Sequence, residues 1–240
     1  MMAGMQTKAV FLDAMGVLLD GEVMPAQWQR AVARHLMPKL GGSAESWAAA
    51  DVYALDLWAK RVQEAQRKAG PRKGSREAHL GARTQWLADM CEHAGVPVPA
   101  DVEAMAEETH RACASQVRAP LRDAVGAVQA LRDAGYTLFT ATGQPSWEIG
   151  AYLSALGIHE LFDRTYGCDL VDRWKSGPHY YRAISEDIGI DPRRAVCVDD
   201  TPVVLDWAKK VGMRTFLLGG QGGGQRHERI ASLMELEPLI

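Results

Sequence analysis

The sequence predicts an α/β fold built on a doubly wound parallel sheet. Two observations carry that expectation. Short apolar runs alternate with amphipathic stretches along most of the chain, and one long block without a convincing strand separates the first run from the second.

The first strand is Lys8 to Leu12 (KAVFL), which ends at Asp13 and is followed by Gly16. From Met24 to Val117 the chain is rich in Ala, Glu, Arg, Gln and Trp, with breaks at Gly41-Gly42, Gly70-Pro71 and Val96-Pro97-Val98-Pro99. That composition and those stops predict four or five helices. An all-helical block between the first two strands of a sheet reads as an inserted domain, and Arg118-Ala119-Pro120 carries the chain back. A helix over Asp123 to Ala134, stopped by Gly135, leads into the second strand, Thr137 to Ala141 (TLFTA). A third strand is Arg164 to Tyr166. A fourth, Ala195 to Val198 (AVCV), ends at Asp199-Asp200. Helix Val203 to Val211, stopped by Gly212, precedes the fifth strand, Arg214 to Leu218. Gly219 to Gly224 reads as a linker, since it lacks the Lys-Ser/Thr ending of a phosphate-binding loop. Gln225 to Leu236 reads as a final helix.

Composition narrows the function classes. Of 240 residues 47% are hydrophobic and 24% charged, ordinary globular values, and the net charge is -3. With no basic surplus or polybasic tract, neither nucleic acid nor a membrane surface is expected as a partner. The N-terminal apolar run is interrupted by Asp13 and falls short of the ~20 residues of a spanning helix. It also lacks the pattern of a secretory signal, so a cytoplasmic location is expected. Cys91, Cys113, Cys168 and Cys197 have no metal-ligand spacing and read as buried thiols.

In an open parallel sheet the site lies beyond the carboxyl ends of the strands. Asp13 follows the first strand, Thr142-Gly143 the second, Lys175 comes after the third and Asp199-Asp200 end the fourth. A carboxylate, a hydroxyl, an ammonium and a carboxylate pair suit phosphoryl transfer. A carboxylate can attack phosphorus, paired carboxylates can hold Mg²⁺, and lysine and hydroxyl can offset charge on the transferring group.

These residues occur as FLDAMGVL, LFTATGQ, WKSGPHYY and VCVDDTPVVLDWAKKVGM, and in that order they resemble the four motifs of the haloacid dehalogenase superfamily. The resemblance covers about residues 7–22 and 120–218. It implies a Rossmann-like core of residues 1–22 and 119–240 with an inserted helical cap of residues 23–118. It further implies hydrolysis of a small phosphorylated metabolite or phosphonate through an aspartyl-phosphate on Asp13. Thr142, Gly143 and Lys175 would bind the phosphoryl oxygens. Asp13, the Met15 carbonyl, Asp200 and Asp199 would hold Mg²⁺, and the Met15 side chain would meet substrate or cap. The partner is a small-molecule substrate.

Two positions depart from the family pattern. Most family phosphatases carry a second Asp two residues after the nucleophile, as proton donor to the leaving group, and here Met15 stands there. General acid–base catalysis is worth ~10²–10⁴-fold, so poor leaving groups should suffer most. Val204 occupies a place where many members carry Asp or Asn, and Asp206 falls on another helical face. The phosphonoacetaldehyde hydrolases also lack the second Asp and use a cap lysine to form a Schiff base. The candidates here are Lys39, Lys60, Lys68 and Lys73. The 2-haloacid dehalogenases lack it as well, need no magnesium and have a different fourth motif. A carbon–halogen hydrolase and a catalytically silent binding protein are the alternatives.

The helical block holds Trp28, Trp47, Trp58 and Trp86, of which Trp47 and Trp58 fall with Asp51 and Ala54 close to one helical stripe that reads as core. Arg30, Arg34, His35 and Arg61 are possible anion-recognising groups, although solvated faces are the simpler reading. His110, His159 and His179 are not at metal spacing.

Overall fold

The computed structural model describes residues 9–219 and 226–240. Six strands form one sheet in the order β3-β2-β1-β4-β5-β6, with every neighbouring pair parallel. They are β1 (Ala9–Leu12), β2 (Thr137–Ala141), β3 (Arg164–Tyr166), β4 (Ala195–Asp199), β5 (Arg214–Leu218) and β6 (Glu228–Ile230). Lys8 lies outside the described residues. Alternation along each strand sends side chains to opposite faces. Val10, Leu12, Leu138, Val196, Val198 and Phe216 join one core, whereas Phe11, Phe139, Ala141, Cys197 and Leu217 join the other.

Of the five helices between β1 and β2, four fall within residues 24–114: α1 (Met24–Leu40), α2 (Ala44–Ala69), α3 (Ser75–Ala94) and α4 (Val102–Ala114). They begin and end at the breaks read from the sequence. Gly41, Gly70 and Gly95 close the first three, and Ser43 opens α2 with a reciprocal cap in which its hydroxyl accepts from Ser46 N at 3.1 Å. Trp47, Ala50, Ala54, Trp86 and Leu87 are buried between these helices, so most of the tryptophan stripe is core. No helix among the described residues is long and apolar enough to cross a membrane.

The remaining helices are α5 (Ala124–Asp133), α6 (Ser146–Ala155), α7 (Pro178–Ile188) and α8 (Pro202–Lys210). All four described cysteines are free and buried, as the sequence indicated.

The expected helix over Gln225 to Leu236 is not what forms. Gln225 lies outside the described residues, as does Gly220 to Gly224 of the glycine-rich loop. Glu228–Ile230 instead adds a sixth strand beside β5, and two short 3₁₀ turns follow at Leu233–Glu235 and Glu237–Leu239. Ile230, Leu233 and Leu236 are buried at a spacing of three, which imitates a helical stripe. Two things break a helix there: the backbone of 228–230 bonds to β5, and Ser232 turns the chain by accepting from Met234 N.

Candidate active site

The sheet register brings the strand-end residues together. Leu12 pairs with Val198 and with Thr140, so Asp13, Asp199 and Thr142 emerge at one edge. The Asp13 amide donates to the Val198 carbonyl at 3.0 Å, which fixes the start of the loop. Lys175 reaches in from the loop after β3. Its ammonium lies 2.8 Å from Asp13 Oδ1 and 2.7 Å from Asp199 Oδ2.

The electrostatics follow from burial. Desolvation opposes the charge on Lys175, but Asp13 and Asp199 together hold its pKa above the ordinary lysine value. Burial, with the Asp13 charge added, pushes Asp199 above the usual carboxylate range against the pull of Lys175. Asp199 also accepts from Thr201 N at 2.8 Å. Asp200 is exposed and accepts from the Thr201 hydroxyl. Asp13, Asp199 and Asp200 each offer an oxygen within 4.8 Å of the others. Three carboxylates against one ammonium leave two negative charges, and the donors are hard oxygens. That set fits a divalent cation such as Mg²⁺.

Thr142 is buried. Its amide donates to the Tyr166 carbonyl, its carbonyl accepts from Tyr180, and its hydroxyl accepts from Gln144 N at 3.4 Å. The hydroxyl hydrogen is therefore left to donate. Gly143 has room for a β-carbon, 3.9 Å from the nearest atom, so space is not what selects glycine there. Met15 lines an apolar cavity of about 350 Å³ together with Met24, Trp28, Trp58 and Trp86. Val204 packs in the second core, and Asp206 is engaged by Arg226 at 3.0 Å and His227 at 3.3 Å.

The four lysines considered for a Schiff base are surface groups paired elsewhere or away from the cavity. Lys39 meets Glu108, Lys60 meets Asp56 at 2.6 Å and Lys68 meets Glu64 at 3.2 Å. None of these, nor Lys73, lines the cavity beside Met15. Of the candidate anion binders, Arg61 pairs with Asp89, and His35 Nε2 accepts from Lys39 Nζ at 3.0 Å. Arg30 and Arg34 are exposed.

Several residues beside the site carried no motif. Glu148, in the first turn of α6, lines the same cavity as Met15 and accepts from Tyr152 Oη at 2.9 Å and Gln144 Nε2 at 3.4 Å. Burial pushes its carboxyl up to about 7. His79 and Arg83 on α3, four residues apart, are buried together in a second, adjoining cavity. Their spacing with Trp86 was the one visible signal, a single helical face.

A family model of haloacid dehalogenase-like hydrolases matches residues 7–212. The chain belongs to this family. In this haloacid dehalogenase-like hydrolase Asp13, Thr142, Lys175 and Asp199-Asp200 all lie within the matched residues. It shares its fold with the defluorinating L-2-haloacid dehalogenase Rha0230, at 18% identity and TM-score 0.69 over 96% of this chain and 93% of the other. L-2-haloacid dehalogenase from Xanthobacter autotrophicus aligns at 18% identity and TM-score 0.64, covering 98% of each chain. The putative HAD-hydrolase YfnB from Bacillus subtilis, solved bound to magnesium, aligns at 14% identity and TM-score 0.65 over 98% of each. At such identities the likeness speaks for the fold. No curated protein sequence matches this chain.

Proposed function

We propose that this hydrolase is Mg²⁺-dependent and acts on a small phosphorylated metabolite or phosphonate. The observation that carries the reading is the acidic cluster: Asp13, Asp199 and Asp200 within 4.8 Å of one another, with one buried lysine between two of them. Residues 1–22 and 119–240 serve as the core, and residues 23–118 as a cap that excludes bulk water from the reacting centre.

Asp13 attacks phosphorus through a carboxylate oxygen. The bond to the leaving group breaks with its electron pair, and the phosphoryl group stays on Asp13 until water attacks phosphorus and frees phosphate. Lys175 keeps Asp13 aligned and offsets charge on the phosphoryl oxygens, while the Thr142 hydroxyl donates to one of them. Asp13, Asp200, Asp199 and the Met15 carbonyl would hold Mg²⁺, which supplies Lewis-acid stabilisation of those same oxygens. Met15 transfers no proton, so the substrates are those whose leaving group departs unaided: acyl phosphates, aryl phosphates, or phosphonates that release a stabilised carbanion.

A second reading is carbon–halogen hydrolysis, with Asp13 attacking carbon. Met15 and the apolar cavity it lines favour it, since halide needs no proton. Hydrolysis of acetyl phosphate, an aryl phosphate and an alkyl phosphate, with Mg²⁺ and with chelator and beside an Asp13→Asn control, separates the two. Metal-dependent turnover of the first two, absent in the control, supports phosphoryl transfer. Chelator-insensitive release of halide from a 2-haloacid, with no phosphate released, replaces it. No turnover of either kind in a folded protein leaves a silent binding fold.

A further inference from the structure

Beside the Met15 cavity lies a second one of about 220 Å³, and the two share Trp58, His110 and Glu148 in their walls. It is lined by α2, α3 and α4 on one side and by the start of α6 on the other. Trp58 and Trp147 supply flat apolar surface, and Arg83 lies 5.6 Å from the centre of the Trp147 ring.

Three buried nitrogens in this wall have no hydrogen-bond partner: Arg83 Nε, His79 Nε2 and His110 Nδ1. Buried polar atoms are nearly always paired, and of these three the Arg83 Nε–H sets the chemistry of an occupant, because its polarity is fixed as a donor. Arg83 and His79 are 5% and 6% exposed. Desolvation pulls His79 down to about 4 and His110 down to about 3, so both rings are neutral near pH 7. Arg83 is then the fixed buried charge of this wall, and its Nε–H can only donate.

The acids nearby leave that donor free. Glu107 is shared, 3.2 Å from Arg83 Nη2 and 3.0 Å from Arg111. Asp169 is taken up by the amide and hydroxyl of Ser146, each at 2.7 Å. Glu148 is turned to Tyr152 and Gln144. Arg76, at the rim, donates to the Asp169 carbonyl. A single carboxylate can be met by the unpaired Nε–H of this guanidinium. A dianion would face Asp169 and Glu148 without a second buried cation.

We infer that this cavity recognises the carboxylate of a flat, apolar organic substrate, with Arg83 as the specificity-determining residue and His79 and His110 beside it. The carboxylate accepts from Arg83 Nε, and the body of the molecule lies between Trp58 and Trp147, extending past Glu148 into the Met15 cavity. Which end faces Asp13 rests on the reading of Asp13 as the reacting centre, whereas the binding step does not.

Calorimetric titration with 3-phenylpropionate and with its neutral amide tests the binding step, in the wild-type chain, Arg83→Gln and Asp13→Asn. The carboxylate should bind at least about tenfold more tightly than the amide in the wild type and in Asp13→Asn, and the preference should vanish in Arg83→Gln. Should Arg83→Gln fail to fold, judged by its thermal transition, Arg83→Lys replaces it, which keeps the charge but loses the guanidinium Nε–H, with a smaller, roughly threefold loss of the same preference expected. Equal affinity for acid and amide in the wild type overturns the inference, as does a preference that survives in the variant. Acetyl phosphate turnover, run in parallel, keeps the two readings apart. Turnover without carboxylate preference removes the subsite alone, and preference without turnover removes the catalytic reading alone.

Discussion

A β-carbon placed on Gly16 would lie 2.0 Å from Oδ2 of Asp200. The loop after β1 therefore runs directly under a carboxylate of the acidic cluster, and its φ of +77° is one that other residues adopt with strain. Gly16→Ala must push Asp200 aside. A displacement of about 1 Å at a reacting centre costs on the order of 10²-fold. We expect kcat/KM to fall by about that factor, with half-maximal activity reached only at higher Mg²⁺. Unchanged magnesium dependence in a folded Gly16→Ala protein would show that Asp200 holds no metal.

Lys175 lies between two carboxylates, Asp199 buried and Asp13 partly buried, so its removal tests stability as well as the proposed catalysis. In Lys175→Met, Asp13 and Asp199 face each other uncompensated. Breaking a buried ion pair from one side typically costs about 3–5 kcal/mol, and urea unfolding near pH 7 should show a loss of that order. Protonating either carboxylate removes the repulsion, so the deficit should shrink as pH falls. Asp199→Asn added to Lys175→Met should recover part of it. A deficit independent of pH would mean that the lost contribution is packing, not charge.

Particular residues show what the sequence could and could not tell. Asp13, Asp199 and Thr142 were legible because a strand end fixes position: once β1 lies between β2 and β4, register alone brings the three together. Lys175 is ten or so residues of irregular chain from its strand, and its motif, rather than its periodicity, marked it. Arg83, His79 and Glu148 were illegible for a physical reason. Their meeting depends on how α3 and α4 pack against α6, and helix packing leaves no local trace in any one helix. The last strand was misread because burial at every third residue satisfies both a helix and a strand followed by turns.

Asp51 takes the indole N–H of Trp28 at 3.1 Å and that of Trp86 at 3.3 Å on the same oxygen. Asp51→Leu would leave two buried donors unpaired, at about 1–3 kcal/mol each. Denaturant unfolding should show a loss of roughly that sum, whereas Asp51→Asn, which keeps an acceptor oxygen, should lose markedly less. Equal losses in the two variants would mean that the indoles find other acceptors.

Glu148 gives a pH dependence whose sign follows from its burial. Desolvation raises its carboxyl from 4.5 to about 7, against the pull of Tyr152 and Gln144. Between those two values the folded chain binds more protons at this site than the unfolded chain, so the contribution to stability falls as pH rises. A shift of this size corresponds to about 3 kcal/mol lost across the window. Glu148→Gln keeps the acceptor for Tyr152 and Gln144 and cannot ionise. Relative to wild type it should be near neutral at about pH 5 and more stable at about pH 8, in urea unfolding at both values. Asp51 and Asp199 contribute slopes of the same sign, being raised by burial too, but they are common to both proteins and cancel in the difference. A flat difference between variant and wild type would place the Glu148 carboxylate in contact with water, and with it the shared wall of the two cavities.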